Sequence, residues 1–508
     1  MPSLTTIIQL LTTGSDGATA ISMPGRPSLS YAGLRDQVQR TVAALNGFGI
    51  GRGDPVAIIL PNGPEMASAF VSVGAGATTA PLNPAYTAQE FEFYLTDLQA
   101  KLLLVQRGVD TPAIGVAQKL GLQIAYLNHD DTGPAGVFDL VDESQGRDAK
   151  QTGFAEPDDV ALVLHTSGTT SRPKIVPLTQ RNICASAGNI ADSVALTPQD
   201  CCLNIMPLFH IHGLIAAVLS SLYAGATVSC APGFNALRFF TWMKEIDPSW
   251  YTAVPTMHQA ILARASRNQD IIDAGRLRLI RSSSASLPPQ IMDAVEKAFA
   301  VPVIEAYGMT EAAHQMASNP LPPRKRVPGS VGVAAGPEIA IMDDAGSRLP
   351  VGDIGEIVIR GANVTAGYQS NPEANAAAYA DGWLRTGDQV VLDDEGYLRL
   401  TDRLKEIINR GGEKISPREV DEVILDHPDI DQVVTFAVPH EKLGEDIAAA
   451  VVLSDGATLT KKDLQKFVAK QLADFKVPRE ILFVEEIPKG ATGKLARIGL
   501  AEKLGLAG

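Results

Sequence analysis

The run His165-Thr166-Ser167-Gly168-Thr169-Thr170-Ser171-Arg172-Pro173-Lys174 crowds hydroxyls, a glycine and a lysine into one short stretch. Small residues let backbone N–H groups approach an anion closely, the hydroxyls add donors, and Lys174 adds positive charge. This is the chemistry of a phosphate-binding loop. It is not a Walker A loop, because the G-x-x-x-x-G-K-[ST] spacing is absent. A solvated Ser/Thr turn is the competing reading, and the apolar run Val160–Leu164 directly upstream speaks against it. A second candidate is Glu305-Ala306-Tyr307-Gly308-Met309-Thr310-Glu311. Tyr307 can offer a flat face to a base, Thr310 a hydroxyl to a phosphate, and Glu311 a hard oxygen to Mg²⁺. Alone, the same string also fits a helix N-cap after a strand. Histidines stand at His210, His212, His258 and His314, and serines crowd at Ser282, Ser283, Ser284 and Ser286. A pocket built from His and Ser suits a short anionic group better than an alkyl chain, although each histidine by itself also fits a satisfied buried imidazole. Lys494, at the end of the Gly-rich run Pro488–Lys494, reads in isolation as an exposed lysine.

These residues need elements to position them. The short apolar runs 55–60 and 160–164, bounded by turn residues, predict buried strands. Residues 64–74 and 287–299 predict helices. Strands alternating with helices imply an α/β sheet with helices on both faces. Residues 355–360 and 396–400 predict strands of a smaller, β-rich region. Near Thr401 the chain becomes densely charged and runs into Asn409-Arg410-Gly411-Gly412. A domain boundary is expected there, giving an N-terminal domain of residues 1–402 and a C-terminal domain of residues 403–508. The latter should hold helices over 417–426 and 461–472 and strands over 432–438 and 447–453, a small α+β domain.

With 508 residues, 45% apolar and 20% charged, the chain has an ordinary globular composition and is long enough for at least two domains. A net charge of -14 argues against a general nucleic-acid binder. Cys184, Cys201, Cys202 and Cys230 show no metal-ligand spacing and read as reduced thiols of a cytoplasmic protein. The N-terminus lacks the pattern of a secretory signal, and the C-terminus KLGLAG is not a peroxisomal address. Residues 201–237 carry no Asp, Glu, Lys or Arg, but Pro207, His210, His212, Gly213 and Gly225 interrupt them. They predict a buried helix followed by a buried strand rather than a membrane span. The sequence does not choose between a monomer and a homodimer.

The run 165–174 resembles the phosphate loop of the adenylate-forming superfamily, which includes acyl-CoA synthetases, firefly luciferase and the adenylation domains of peptide synthetases. The family pattern has Gly at the positions of Ser171 and Ile175. The resemblance continues in order along nearly the whole chain. Glu305–Glu311 matches the second signature. Ser284-Ala285-Ser286-Leu287 stands where the family places its adenine-contacting loop. Trp383–Asp388 resembles the segment whose Asp accepts the ribose hydroxyls, and Arg403 the arginine that also contacts the ribose. Pro488–Lys494 with Arg497 resembles the Pro-Lys-Thr-x-x-Gly-Lys-x-x-Arg signature.

The resemblance implies a large N-terminal domain of layered α/β sheets with a β-rich subdomain, and a small mobile C-terminal α+β domain. It implies ATP, Mg²⁺ and coenzyme A as ligands. ATP would meet Thr166, Ser167, Gly168, Thr169, Thr170, Lys174, Ser284, Ala285, Tyr307, Gly308, Asp388 and Arg403. Glu311 would hold the metal, and Thr310 would serve the same chemistry. Lys494 would bridge the attacking carboxylate and the α-phosphate. The small domain would then turn about Lys405, and CoA would enter along Gly411 and Gly412. His210 would gate the acyl pocket.

The strings Ser249–Gln259, Arg281–Leu287, and Thr310–His314 with Ser318–Pro322 resemble the oxalate–CoA ligases of plants and fungi. His314 and Ser284 are the candidates to hold the second carboxylate, with Arg281 as an alternative. The expected activity is therefore formation of acyl-AMP and then acyl-CoA from a small acid, with oxalate first and another short or aromatic acid second. A carrier-loading adenylation domain, a luciferase-like oxidase and a non-catalytic nucleotide-binding protein on the same fold are the other readings. Retention of Lys494, Glu311 and Asp388 argues against the last.

Overall fold

Two parallel-strand sheets fed by helices make up the first part of the chain. The computed structural model describes residues 4–142, 149–166, 173–343, 345–403, 406–410, 413–440, 442–489, 495 and 497–506. One sheet has seven strands in the order Asp139–Asp142, Gln123–Asn128, Leu102–Gln106, Pro55–Ile59, Thr78–Pro81, Val160–Thr166 and Lys174–Thr179. The other has nine and is centred on Val303–Met309, Leu279–Ser282, Trp250–Ala253, Cys201–Asn204 and Thr227–Cys230, all parallel.

Both sheets turn apolar side chains onto a shared core. Val56, Ile58, Leu102 and Leu162 of the first sheet join Cys202, Val228, Trp250, Leu279 and Ile304 of the second in one buried cluster. The helices Pro64–Gly74 and Gln180–Ser193 contribute to the same cluster. Pro64 occupies the first turn of its helix, where its missing N–H costs nothing. Thr179 caps the second helix through a reciprocal pair with Asn182.

The charge-free stretch 201–237 forms the strand Cys201–Asn204, a buried helix and the strand Thr227–Cys230. The expected helix and following strand are there, but over His212–Leu219 the helix is a π-helix. Wide turns of this kind recur at functional sites. No helix among the described residues is long and apolar enough to cross a membrane.

Glu338–Met342, Ile354–Arg360, Tyr379–Ala380, Trp383–Leu392 and Leu398–Arg403 make a five-stranded sheet, the β-rich region. Ile408–Arg410 begins the last sheet, which also contains Glu413–Ile415, Ile430–His440, Gly444–Leu453 and Glu480–Phe483. The helices Pro417–Leu425 and Lys461–Ala469 cover it around a separate buried cluster that includes Ile408, Val420, Ile447 and Leu464.

Candidate active site

The strands Cys201–Asn204, Trp250–Ala253, Leu279–Ser282 and Val303–Met309 run parallel and end at one edge of their sheet. Crevices outside the carboxyl ends of such strands are where open α/β sheets bind ligands. The segments leaving these ends carry His210, His212, Ser284, Thr310, Glu311 and His314.

His212 is fully buried and opens the π-helix. Its Nε2 lies 2.6 Å from Thr252 Oγ1 and its Nδ1 3.0 Å from Ser284 Oγ. A neutral imidazole donates from one nitrogen and accepts at the other, and hydroxyls match either role. The backbone N–H of His212 donates to His210 Nδ1 at 3.3 Å. The His314 ring packs edge-on against His212, with centroids 5.0 Å apart. Ala313 and His314 both have positive φ, +47° and +101°, which turns the chain back into the strand His314–Ser318. Two close approaches need glycine. A Cβ on Gly308 would lie 1.7 Å from the His314 carbonyl oxygen, and one on Gly213 would lie 2.4 Å from that of Pro207.

The loop that carries Ser284 is clamped by the neighbouring strand. Ser283 Oγ donates to the Ala306 carbonyl at 2.9 Å, and Leu287 N–H donates to Glu305 Oε1 at 2.9 Å. Burial pushes the Glu305 carboxyl up to about 7. From the C-terminal domain, Arg418 donates to Ser286 Oγ.

The remaining groups are suited to a nucleotide. The Tyr307 hydroxyl donates to the Asp388 carboxylate, and Asp388 stands opposite Arg403 in the strand pairing. Tyr368 donates its hydroxyl to Glu311 Oε1 at 2.8 Å, and the Lys174 ammonium sits 4.5 Å from the centre of the Tyr368 ring. Burial, and after it the Glu311 charge, raises the Tyr368 phenol, so it stays a donor. Thr166 and Lys174, at the two ends of the phosphate-loop candidate, are register partners in paired strands. Glu311 is a hard carboxylate ligand suited to Mg²⁺. Among the described residues no cluster of three or more His, Cys, Asp and Glu could hold a metal.

The family model described as AMP-binding enzyme matches residues 12–369, and that of the AMP-binding enzyme C-terminal domain matches residues 419–494. The chain belongs to the AMP-binding enzyme family. It is 48% identical over 485 residues to an oxalate–CoA ligase of Arabidopsis thaliana, covering 94% of each chain. It is 42% identical over 475 residues to an oxalate–CoA ligase of Saccharomyces cerevisiae, covering 89% of this chain and 87% of that protein. The fold matches ATP-bound MatB from Rhodopseudomonas palustris with a TM-score of 0.88 at 29% identity, over 98% of both chains. As a member of this family, the chain is an ATP-dependent, AMP-forming acyl-CoA synthetase.

Of the residues expected from the sequence, this AMP-binding enzyme brings His210, Ser284 and His314 together around His212, and Lys174 and Glu311 together around Tyr368. Tyr307 and Asp388 meet directly, and Thr310 begins the turn that presents Glu311. Ala285 is exposed on the clamped loop. Ser167, Gly168, Thr169, Thr170, Lys405, Gly411, Gly412 and Lys494 lie outside the described residues. Ile175, where the family pattern has Gly, is a paired strand residue buried beside Val163 and Ala57, so the substitution extends the hairpin. Sequence reasoning passed over Thr252, Glu305 and Tyr368. Thr252 and Glu305 sat inside quoted strings, whereas nothing in the local sequence around Tyr368 marks it.

Proposed function

We propose that the acid activated by this acyl-CoA synthetase is oxalate. The observation that carries the reading is the acyl corner, where His212 is held between Thr252 and Ser284 with the His314 ring against it. An alkyl chain there would meet polar side chains in place of an apolar lining. Oxalate has no carbon chain to bury, and its second carboxylate needs donors. The names of the plant and yeast relatives support the same acid. The test is pyrophosphate release with oxalate, malonate, acetate and octanoate. Oxalate should give the highest kcat/KM. A preference for octanoate would refute the oxalate reading and leave the ligase class standing.

In the proposed first step a carboxylate oxygen of the acid attacks the α-phosphorus of ATP, the bond to the bridging oxygen breaks, and pyrophosphate leaves. Thr166, Ser167, Gly168, Thr169, Thr170 and Lys174 hold the phosphates, with Thr310 beside them. Ala285, Tyr307 and Gly308 face the adenine, and Asp388 and Arg403 the ribose. Lys494 neutralises charge at the reacting phosphorus. Glu311 would hold Mg²⁺, which would offset phosphate charge. In the second step the CoA thiolate attacks the acyl carbon and AMP leaves. For this the C-terminal domain, residues 403–508, turns about Lys405, withdraws Lys494 and brings Gly411 and Gly412 to the thiol's path. Such a turn would break the contact between Arg418 and Ser286. His210 gates the acyl pocket. The proposal includes a cytoplasmic location, consistent with four buried cysteines outside any disulfide.

A further inference from the structure

Arg281 is a fully buried arginine on the strand Leu279–Ser282, on the same face as Leu279, a member of the largest hydrophobic cluster. One donor is satisfied: Nη2 donates to Gln315 Oε1 at 3.0 Å. Nε and Nη1 are buried and have no hydrogen-bond partner among the described residues. Arg278, three residues earlier, makes the contrast. It donates from Nε and Nη2 to the two oxygens of Asp200 at 2.7 and 3.0 Å, so its charge is matched inside the chain. A buried charge without a counter-ion costs several kcal/mol. Burial lowers the Arg281 guanidinium only to about 9, so it stays charged at neutral pH.

The position of this charge is specific. Thr252, which bonds His212, is the residue directly opposite Arg281 on the neighbouring strand. Gln315, which holds the guanidinium, follows His314 in the chain. Ser284 lies three residues downstream of Arg281, on the loop that bonds His212. Arg281 is therefore the strand neighbour of Thr252 and the hydrogen-bond partner of Gln315, each of which adjoins a histidine of the acyl corner.

We propose that Arg281 is the built-in counter-charge for a second anionic group on the acid, so that the site selects small dianionic acids over monoanionic ones. The inference rests on the reading of the chain as an acid–CoA ligase and deepens it by assigning the origin of selectivity. Gln315, a neutral amide, orients the guanidinium without neutralising it.

The test measures pyrophosphate release by the full-length protein with oxalate, malonate, glyoxylate and acetate, for wild type, Arg281→Met, Arg281→Lys and Gln315→Glu. Removing one partner of a buried charge pair costs 2–5 kcal/mol, so Arg281→Met should raise KM for the preferred dianion at least about 30-fold. The KM for ATP should stay within about threefold, and Arg281→Lys should recover part of the loss. Gln315→Glu places an internal carboxylate against Arg281 and should raise the same KM about tenfold. If Arg281→Met does not fold, Gln315→Glu decides, and an unchanged KM for the dianion overturns the proposal. An Arg281→Met enzyme that keeps wild-type selectivity for dianions also overturns it. A wild type that prefers malonate, with that preference lost in Arg281→Met, refutes oxalate and upholds Arg281. A wild type that prefers a monoanion refutes both.

Discussion

Glu305→Gln should make the protein more stable at alkaline pH and remove a pH dependence that the wild type carries. The Glu305 carboxyl is fully buried, accepts one hydrogen bond from Leu287 N–H, and is pushed from an ordinary 4.5 up to about 7, chiefly by burial. The folded state thus binds the proton more tightly than the unfolded chain does. Its contribution to stability is complete below about pH 4.5 and is lost as pH rises through about 7. The full span is about 2.5 pK units, or roughly 3 kcal/mol, of which about 2 kcal/mol falls between pH 5.5 and 8.5. Gln keeps the shape and the acceptor and has no proton to lose. Thermal unfolding of wild type and Glu305→Gln across that pH range is the assay. Domains of 150–250 residues shift by 2–4 °C per kcal/mol, and a larger unit by roughly 1 °C, so the variant should gain about 2 °C on the wild type from pH 5.5 to 8.5. Parallel pH profiles would refute the reasoning, because they would mean that the carboxyl titrates at an ordinary value.

Asp388→Ala should raise the KM for ATP more than about tenfold, since a hydrogen bond to a charged group contributes roughly 1.5–3 kcal/mol; unchanged ATP affinity would take Asp388 out of the site. Lys494→Ala should abolish acyl-adenylate formation yet leave thioester formation from supplied acyl-AMP largely intact, and equal loss of both half-reactions would remove the lysine from the first step. His314→Ala should lower kcat/KM for oxalate far more than it changes the KM for ATP. A variant that handles oxalate normally would refute the role of His314 in the acyl corner.

Strands and helices were legible where burial follows a period. The apolar run 55–60 became the strand Pro55–Ile59, and 64–74 became the helix Pro64–Gly74. Candidate site residues stood out in the sequence where several chemically apt types share one short string, as in Tyr307-Gly308-Met309-Thr310-Glu311. Tyr368 escaped because the carboxylate it holds, Glu311, is 57 residues away. Thr252 escaped because a β-branched residue in an apolar run reads as an ordinary strand residue, and only the opposing His212 gives its hydroxyl a role. The π-helix is equally hidden. An all-apolar run such as Leu214–Leu219 buries any face it presents, so its composition does not distinguish a π-helical turn from an α-helical one.

Neutral groups take part in orienting three charges of this site. A phenol, Tyr307, donates to Asp388; a second phenol, Tyr368, donates to Glu311; and an amide, Gln315, accepts from Arg281. Away from the site the chain pairs charge with charge, as in Arg278 with Asp200 and Arg410 with Asp446. The difference has a physical consequence. A salt bridge fixes a side chain by cancelling its field, whereas a neutral hydrogen bond fixes it and leaves that field for a ligand. A pre-positioned charge such as that of Arg281 needs no reorganisation when the ligand's own charge arrives. Acid and ATP, which bind the folded chain, should each stabilise the fold by mass action.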